Sequence, residues 1–353
     1  MSSLPLKKLN NVLQGTATLF PVFSLLFAIF LATTQKLCYN EENTVLEVPM
    51  QFLYLLESLR MPWLNEWMLA ITHLGEETAF LAIALIVFWC VDKYEGYYLL
   101  GVGLFGNMAN QFLKITCRIP RPWVRDPAFH ALEEAIPEAS GYSFPSGHSQ
   151  TAVGTFGCLA ASAKRKWLRA LCIAVMVLVP FSRMYVGVHT PADVLVGSGM
   201  ALVMVFAFRP LMLRGNKNHI QAPLTGLFIL SVFNLLFVEL YPFPADVDVH
   251  NYESALKNAY TFVGCLAGVV IVFLVDEDKF RFRTDAIWWA QLLKIVGGLA
   301  LVLGVKEGMR PVLEAFLPVM PARAVRYCLI VLVAGFLWPL TFVWFAKLGR
   351  KQK

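Results

Sequence analysis

Apolar runs long enough to cross a bilayer recur along this whole chain, and they leave it few folds to adopt. They lie near 16–34, 76–91, 97–116, 148–163, 168–187, 192–209, 222–241, 257–275, 285–305 and 325–346. Inside hydrocarbon a segment must satisfy its own backbone polar groups, so runs of this length read as helices. Only 15% of the residues are charged, against about a quarter in a soluble globular domain. The expected architecture is all-α, a polytopic transmembrane helix bundle of about ten spans. No Ser/Gly linker, low-complexity tract or convincing internal repeat divides it.

Between the first two runs lies VPMQFLYLLESLRMPWLNEWMLAITHLG, residues 48–75. It is amphipathic and broken at Pro62, and Trp63 and Trp67 suit an interface. It reads as lying at the membrane surface, and a short core-packed helix fits equally well. The first run, near 16–34, is longer than a signal peptide's apolar stretch and has no small-x-small cleavage site, so an uncleaved helix is expected.

Lys and Arg placement orients the bundle. With the N-terminus inside, the inside loops hold Lys7, Lys8, Lys93, the cluster Lys164-Arg165-Lys166 with Arg169, then Arg209, Arg214, Lys217, Lys279, Arg281, Arg283 and the tail from Lys347. The connection 242–256 is acidic instead, with Asp246, Asp248 and Glu253. Both termini then lie inside, and the turns near 114–147 and 182–193 outside. The net charge of +6 is dispersed at helix ends, which argues against a nucleic-acid partner. The seven cysteines show no paired spacing and read as small core hydrophobes.

Three polar stretches interrupt the apolar pattern, all on the expected outer face: KITCRIPRP (114–122), PSGH (145–148) and SRMYVGVHTPAD (182–193). Charge at membrane depth is costly and points to function. Lys114, Arg121 and Arg183 supply three cations, and an Arg fork matches phosphate oxygens. Ser146 and Gly147 start a helix, whose N–H groups make an anion site that Gly lets the anion approach. Thr190-Pro191-Ala192-Asp193 starts another, with Thr190 as N-cap. His189 stands just before it, where Asp193 can accept from its ring and fix the tautomer.

Two histidines, a carboxylate and several phosphate donors suffice for phosphoryl transfer without a metal or other cofactor. His189 attacks phosphorus, and His148 protonates the leaving alkoxide and then activates water. Lys114, Arg121, Arg183 and the N–H groups of Ser146, Gly147 and His148 hold the developing charge. Singly, each of these residues would more often be a plain hydrogen-bonding group. Ser182 either positions Arg183 or packs. Arg118, Arg125, Glu133, Glu134 and Glu138 flank the site and read more readily as solvated than as headgroup contacts. His73, His130, His219 and His250 receive no role. Lys294 falls inside a span, to pair with a carboxylate such as Glu239 or to snorkel. VKEGMRP (305–311) echoes the first stretch by chance.

The ordered pattern K-x6-RP, PSGH, SR-x5-H-x3-D resembles the three-part signature of the type 2 phosphatidic acid phosphatase superfamily, whose soluble relatives are vanadium haloperoxidases. All three parts match in order, and THLG at 72–75 is also similar to that family. The resemblance implies a six-helix phosphatase core with His189 as nucleophile, His148 as acid and base, and Asp193 orienting. It assigns phosphate binding to Lys114, Arg121, Ser146, Gly147, His148 and Arg183. The expected organisation is an N-terminal helix and interfacial segment (1–75), a catalytic core (76–210) and a C-terminal transmembrane block (211–353). The block lies outside the signature; widening lipid access, a homodimer face or partner binding are all open to it. The expected substrate is a lipid phosphate or diphosphate among membrane lipids, at the outer face of a bacterial inner membrane. The alternatives are a phosphatase of a soluble sugar phosphate, a silent lipid binder or transporter, and a haloperoxidase.

Overall fold

The computed structural model describes residues 50–213, 217–245 and 247–348. The expected first span, the basic termini, Arg214 and Asp246 lie outside the described residues. Each of the nine other expected spans falls on a helix. These are α3 (Glu77–Cys90), α4 (Lys93–Cys117), α5 (Gly147–Ser162), α6 (Lys166–Tyr185), α7 (Pro191–Leu213), α8 (Lys217–Leu240), α9 (Val249–Val275), α10 (Trp288–Glu314) and α11 (Val319–Leu332). They follow α1 (Gln51–Ser58) and α2 (Pro62–Thr72). No strand occurs among the described residues.

The starts of these helices were written locally. Asp92 accepts from the N–H groups of Tyr94 (2.8 Å) and Glu95 (3.1 Å), satisfying donors that α4 leaves open. Asp248 does the same for Asn251 (2.8 Å) at α9. Pro62 and Pro191 open α2 and α7, where a missing N–H costs nothing.

Among the described residues, six helical segments are long and apolar enough to cross a membrane: α6, α7, residues 219–240 of α8, α9 with its π-turn extension, α10, and α11 with its continuation to Phe345. The bent pair Pro62–Gly75 and Glu77–Cys90, at 52°, brings the number to seven if it counts as one span. α4 falls short because it is polar, and α5 because, at 16 residues, it is short. α4 carries Asn107, Asn110, Gln111 and Lys114, and α5 opens with GHSQT. Both are instead sheathed by their neighbours, and most of their residues are buried. Within residues 50–75, α2 has one buried face and one exposed face. Met68 and Thr72 of α2 point inward, while Trp63 and Trp67 stay 59% and 65% exposed.

The C-terminal helices share the core of the first ones. One apolar cluster includes Phe80, Phe88, Trp89, Tyr97 and Phe208 as well as Phe273, Phe282, Phe342 and Phe345. Tyr97 meets Phe88 edge-on at 5.1 Å and Phe273 at 5.2 Å, pairs worth about 1 kcal/mol each beyond the buried area. The Trp89 indole donates to the Ala334 carbonyl (2.8 Å). At the same end Lys93 bridges to Asp276 (2.6 Å) and Glu277 (3.1 Å). Lys294 is fully buried there without a carboxylate. It donates to the Thr284 carbonyl (2.9 Å) and lies 4.2 Å from the Phe342 ring centroid. Glu239 instead accepts from Tyr260. The VKEGMRP residues form only local pairs, Lys306–Glu307 and Arg310–Glu314.

Cysteine is one correction. Cys117, at the end of α4, is disulfide-bonded, whereas Cys90, Cys158, Cys172, Cys265 and Cys328 are free. Unpaired spacing in the sequence hides a bridge that folding brings together.

Candidate active site

The C-terminal end of α4, the start of α5, the end of α6 and the start of α7 meet at one end of the bundle. Between them lies a cavity of about 340 Å³ lined by Lys114, Arg121, Gly147, His148, Arg183 and His189, among others. The basic cluster 164–166 caps the opposite end, at the α5–α6 turn.

His189 is buried beside α7. Its Nδ1 lies 3.4 Å from Asp193 Oδ2. The same Oδ2 accepts from the Thr190 N–H (2.8 Å) and the Ser143 hydroxyl (2.6 Å), so the carboxylate also caps the helix. Arg121 Nη1 donates to His189 Nε2 at 2.9 Å. Arg121 is held rigid by the carbonyls of Gly141 (3.1 Å), Val188 (3.0 Å) and Ser140 (2.8 Å). Burial, then the cations Arg121, Arg183 and Lys114, push the His189 imidazole well below its usual pKa, with the Ser143 backbone acting the other way. Burial lowers the Arg121 guanidinium to about 10, which leaves it charged at neutral pH.

Lys114 donates to the carbonyls of Tyr142 (2.6 Å) and Ser140 (3.3 Å). Arg183 is wholly buried, and its Nη1 donates to Thr72 Oγ1 (2.8 Å). Its Nε and Nη2 have no protein acceptor. A buried guanidinium with two open donors is an anion site by its chemistry. His148 Nε2 is likewise buried without a hydrogen bond, 4.0 Å from Glu138 Oε2.

The start of α5 departs from expectation at one residue. Ser146 does not line the cavity, and its N–H donates to the Asp193 carbonyl (2.9 Å). Its hydroxyl caps the helix by accepting from the Ser149 N–H (3.4 Å). The open donors of that turn are therefore the N–H groups of Gly147 and His148, for which no acceptor occurs among the described residues. A Cβ on Gly197 would come within 2.6 Å of the Ser146 carbonyl, so only glycine lets α7 approach the turn this closely. Ser182 is buried, and its hydroxyl donates to the Val179 carbonyl (2.7 Å), away from Arg183.

Several contributors had little sequence signal. Ser143 and Thr72 act only through tertiary contacts. Asn107, Gln111 and Lys114 share one face of α4 at i, i+4, i+7, a polar stripe legible in NMANQFLK. Of the flanking acids, Glu138 lines the cavity, while Glu133 and Glu134 are exposed outside it. Arg118 and His250 line a neighbouring cavity of about 730 Å³, and Arg125 is exposed. His73, Glu76 and Glu138 bring ligand-type atoms within 4.8 Å of one another at the rim, a grouping that suits a cation.

The fold and cavity describe a multi-pass membrane protein whose helices, long and apolar enough to cross a bilayer, bring two imidazoles and three cations together. Residues 95–217 match the family model of the PAP2 superfamily, and residues 260–351 that of the PAP2 superfamily phosphatase transmembrane extension. Phosphatidylglycerophosphatase B of Bacillus subtilis is 32% identical over 161 residues, 42% of this chain and 75% of that protein. The undecaprenyl-diphosphatase of Sulfolobus acidocaldarius is 29% identical over 174 residues, 49% of this chain and 82% of that one. A dihydrosphingosine 1-phosphate phosphatase of Schizosaccharomyces pombe is 25% identical over 285 residues, 76% of this chain and 67% of that one. The crystal structure of a transmembrane PAP2 type phosphatidylglycerolphosphate phosphatase from Bacillus subtilis is 29% identical, with a TM-score of 0.41 over 53% of this chain and 93% of that one. The chain belongs to the PAP2 superfamily.

Proposed function

We propose that the protein hydrolyses a lipid phosphate through a phosphohistidine, without a metal, at the outer face of its membrane. The observation that carries this is the pairing of open groups in one cavity. Arg183 offers two buried donors without acceptors, next to His189 and to His148 with its unbonded Nε2.

The steps follow from the donors and acceptors. Phosphate oxygens take the Nε and Nη2 protons of Arg183, the N–H groups of Gly147 and His148, and protons of Lys114 and Arg121. His189 Nε2 uses its lone pair to form the P–N bond as the P–O bond to the alcohol breaks. The alkoxide takes a proton from His148, and the His189 Nδ1 proton stays directed at Asp193. Water then loses a proton to His148 and attacks phosphorus, the P–N bond breaks, and phosphate leaves. Three cations supply the charge stabilisation that a metal supplies in other phosphatases.

The outer-face orientation draws on two features. The basic cluster at 164–166 lies at the end away from the site, as cytoplasmic loops require. The disulfide at Cys117 lies at the site's end, which suits an oxidising compartment. The names of the relatives favour a lipid substrate over a soluble sugar phosphate.

The test is phosphate release by purified protein in detergent with EDTA. The panel is phosphatidic acid, phosphatidylglycerophosphate, sphingosine 1-phosphate, undecaprenyl diphosphate and glucose 6-phosphate. A lipid is turned over, His189→Ala abolishes release, and millimolar vanadate inhibits. Activity lost in EDTA and restored by a divalent cation overturns the metal-free mechanism and points to His73, Glu76 and Glu138. No turnover of any substrate, or a His189→Ala variant as active as the parent, overturns the catalytic reading.

A further inference from the structure

The cavity is not built by the signature-bearing helices alone. Ser254 and Asn258 line it from α9, more than sixty residues beyond the last signature position. They stand one helical turn apart, on one face of α9. Gln111 lines the same cavity from α4, one turn before Lys114. All three side chains are half-buried, and none hydrogen-bonds a protein group among the described residues. Two amides and a hydroxyl thus face the space beside the phosphate cations with donors and acceptors unengaged.

The rest of the lining decides what this wall suits. Glu76, Glu77 and Glu138 are its carboxylates, and every cation on it belongs to the phosphate set already described, Lys114, Arg121 and Arg183. A second phosphate next to the first would therefore meet neutral amides and three anions, with no further cation to receive it. A hydroxyl or ammonium group there would meet hydrogen-bond acceptors and negative charge.

We infer that the C-terminal block completes the substrate pocket: Ser254 and Asn258, with Gln111, form a neutral hydrogen-bonding subsite for a hydroxyl or ammonium group on the leaving alcohol, and so favour phosphate monoesters of polar alcohols over prenyl diphosphates. This rests on the phosphatase reading of the cavity. It gives α9 a task in recognition.

The experiment compares the full-length protein with Ser254→Ala/Asn258→Leu in detergent. Substrates are phosphatidylglycerophosphate, with one free hydroxyl on its leaving glycerol, sphingosine 1-phosphate, with an ammonium and a hydroxyl, and undecaprenyl diphosphate, with neither. The parent prefers the two polar monoesters. The double variant loses about tenfold in kcat/KM on them, chiefly through KM, the effect of one or two lost hydrogen bonds, and stays within about twofold on the prenyl diphosphate. The two monoesters separate a hydroxyl from an ammonium as the recognised group. A parallel loss on all three substrates marks a structural role and overturns the inference, as does an unchanged ratio or a parent that prefers the diphosphate. A parent inactive on every substrate overturns the phosphatase reading itself, a result distinct from an active parent with an unmoved ratio.

Discussion

Arg121 Nη1 lies 2.9 Å from Nε2 of His189. A guanidinium has only protons to give, so the imidazole nitrogen that meets it is the one with the lone pair. The other nitrogen, Nδ1, faces Asp193. The Arg121 and Asp193 contacts together favour the tautomer with its lone pair on Nε2, the one that the proposed attack on phosphorus needs.

Arg121 does this with a fork that also reaches the carbonyls of Ser140, Gly141 and Val188. Lysine keeps the charge but not the plane. Arg121→Lys is expected to lower kcat/KM by about a hundredfold, the scale of one lost transition-state donor, while the purified protein remains folded by circular dichroism. A variant within threefold of the parent would show that charge alone suffices.

Burial and the three neighbouring cations lower the pKa of His189. The neutral, nucleophilic form therefore persists as pH falls through about 6.5, the usual imidazole value. The acid limb of kcat/KM governed by His189 is expected below that pH. Lys114→Met removes one of the depressing charges and moves the limb upward in the activity that remains. Arg121→Lys retains its charge and leaves the limb in place. The measurement is the pH profile of kcat/KM for all three proteins, and a limb at or above 6.5 in the parent refutes the argument.

Thr72 holds Arg183 by Nη1 at 2.8 Å. Valine has the same shape without the acceptor. Thr72→Val is expected to weaken vanadate inhibition about tenfold, the value of a hydrogen bond to a charged group, with only a small change in melting temperature. Unaltered vanadate affinity would mean that Arg183 is aimed by packing alone.

Gly197 lets α7 lie against the first turn of α5. In Gly197→Ala the new methyl meets a backbone carbonyl, which cannot rotate away. The turn carrying His148 shifts, and activity is expected to fall tenfold or more, together with a lower melting temperature. Gly199→Ala, where a Cβ meets nothing within 4 Å, is the control and leaves both unchanged.

The helices were legible because apolar runs of bilayer length are a local property. So were most of the residues that line or support the cavity, because Lys114, Arg121, His148, Arg183, His189 and Asp193 sit at the ends of such runs. α4 and α5 could be placed from their apolar residues, although the polarity of α4 and the 16-residue length of α5 set them apart from the longer apolar helices. Lys294 was legible as an anomaly but not as to its partners, a carbonyl ten residues earlier and a ring from the last helical turn.

Helix order and the positions of the charged and imidazole side chains were thus readable along the chain. Which of their hydrogen-bonding groups remain open came from packing between distant segments. The Ser146 N–H is engaged by the Asp193 carbonyl, while two of the Arg183 donors are free because Thr72 takes just one. That packing also decided that Ser254 and Asn258 share a cavity with His189. The physical reason is range. A helix and its caps depend on neighbours within a few residues, whereas an open donor or a shared wall depends on which distant surfaces pack together.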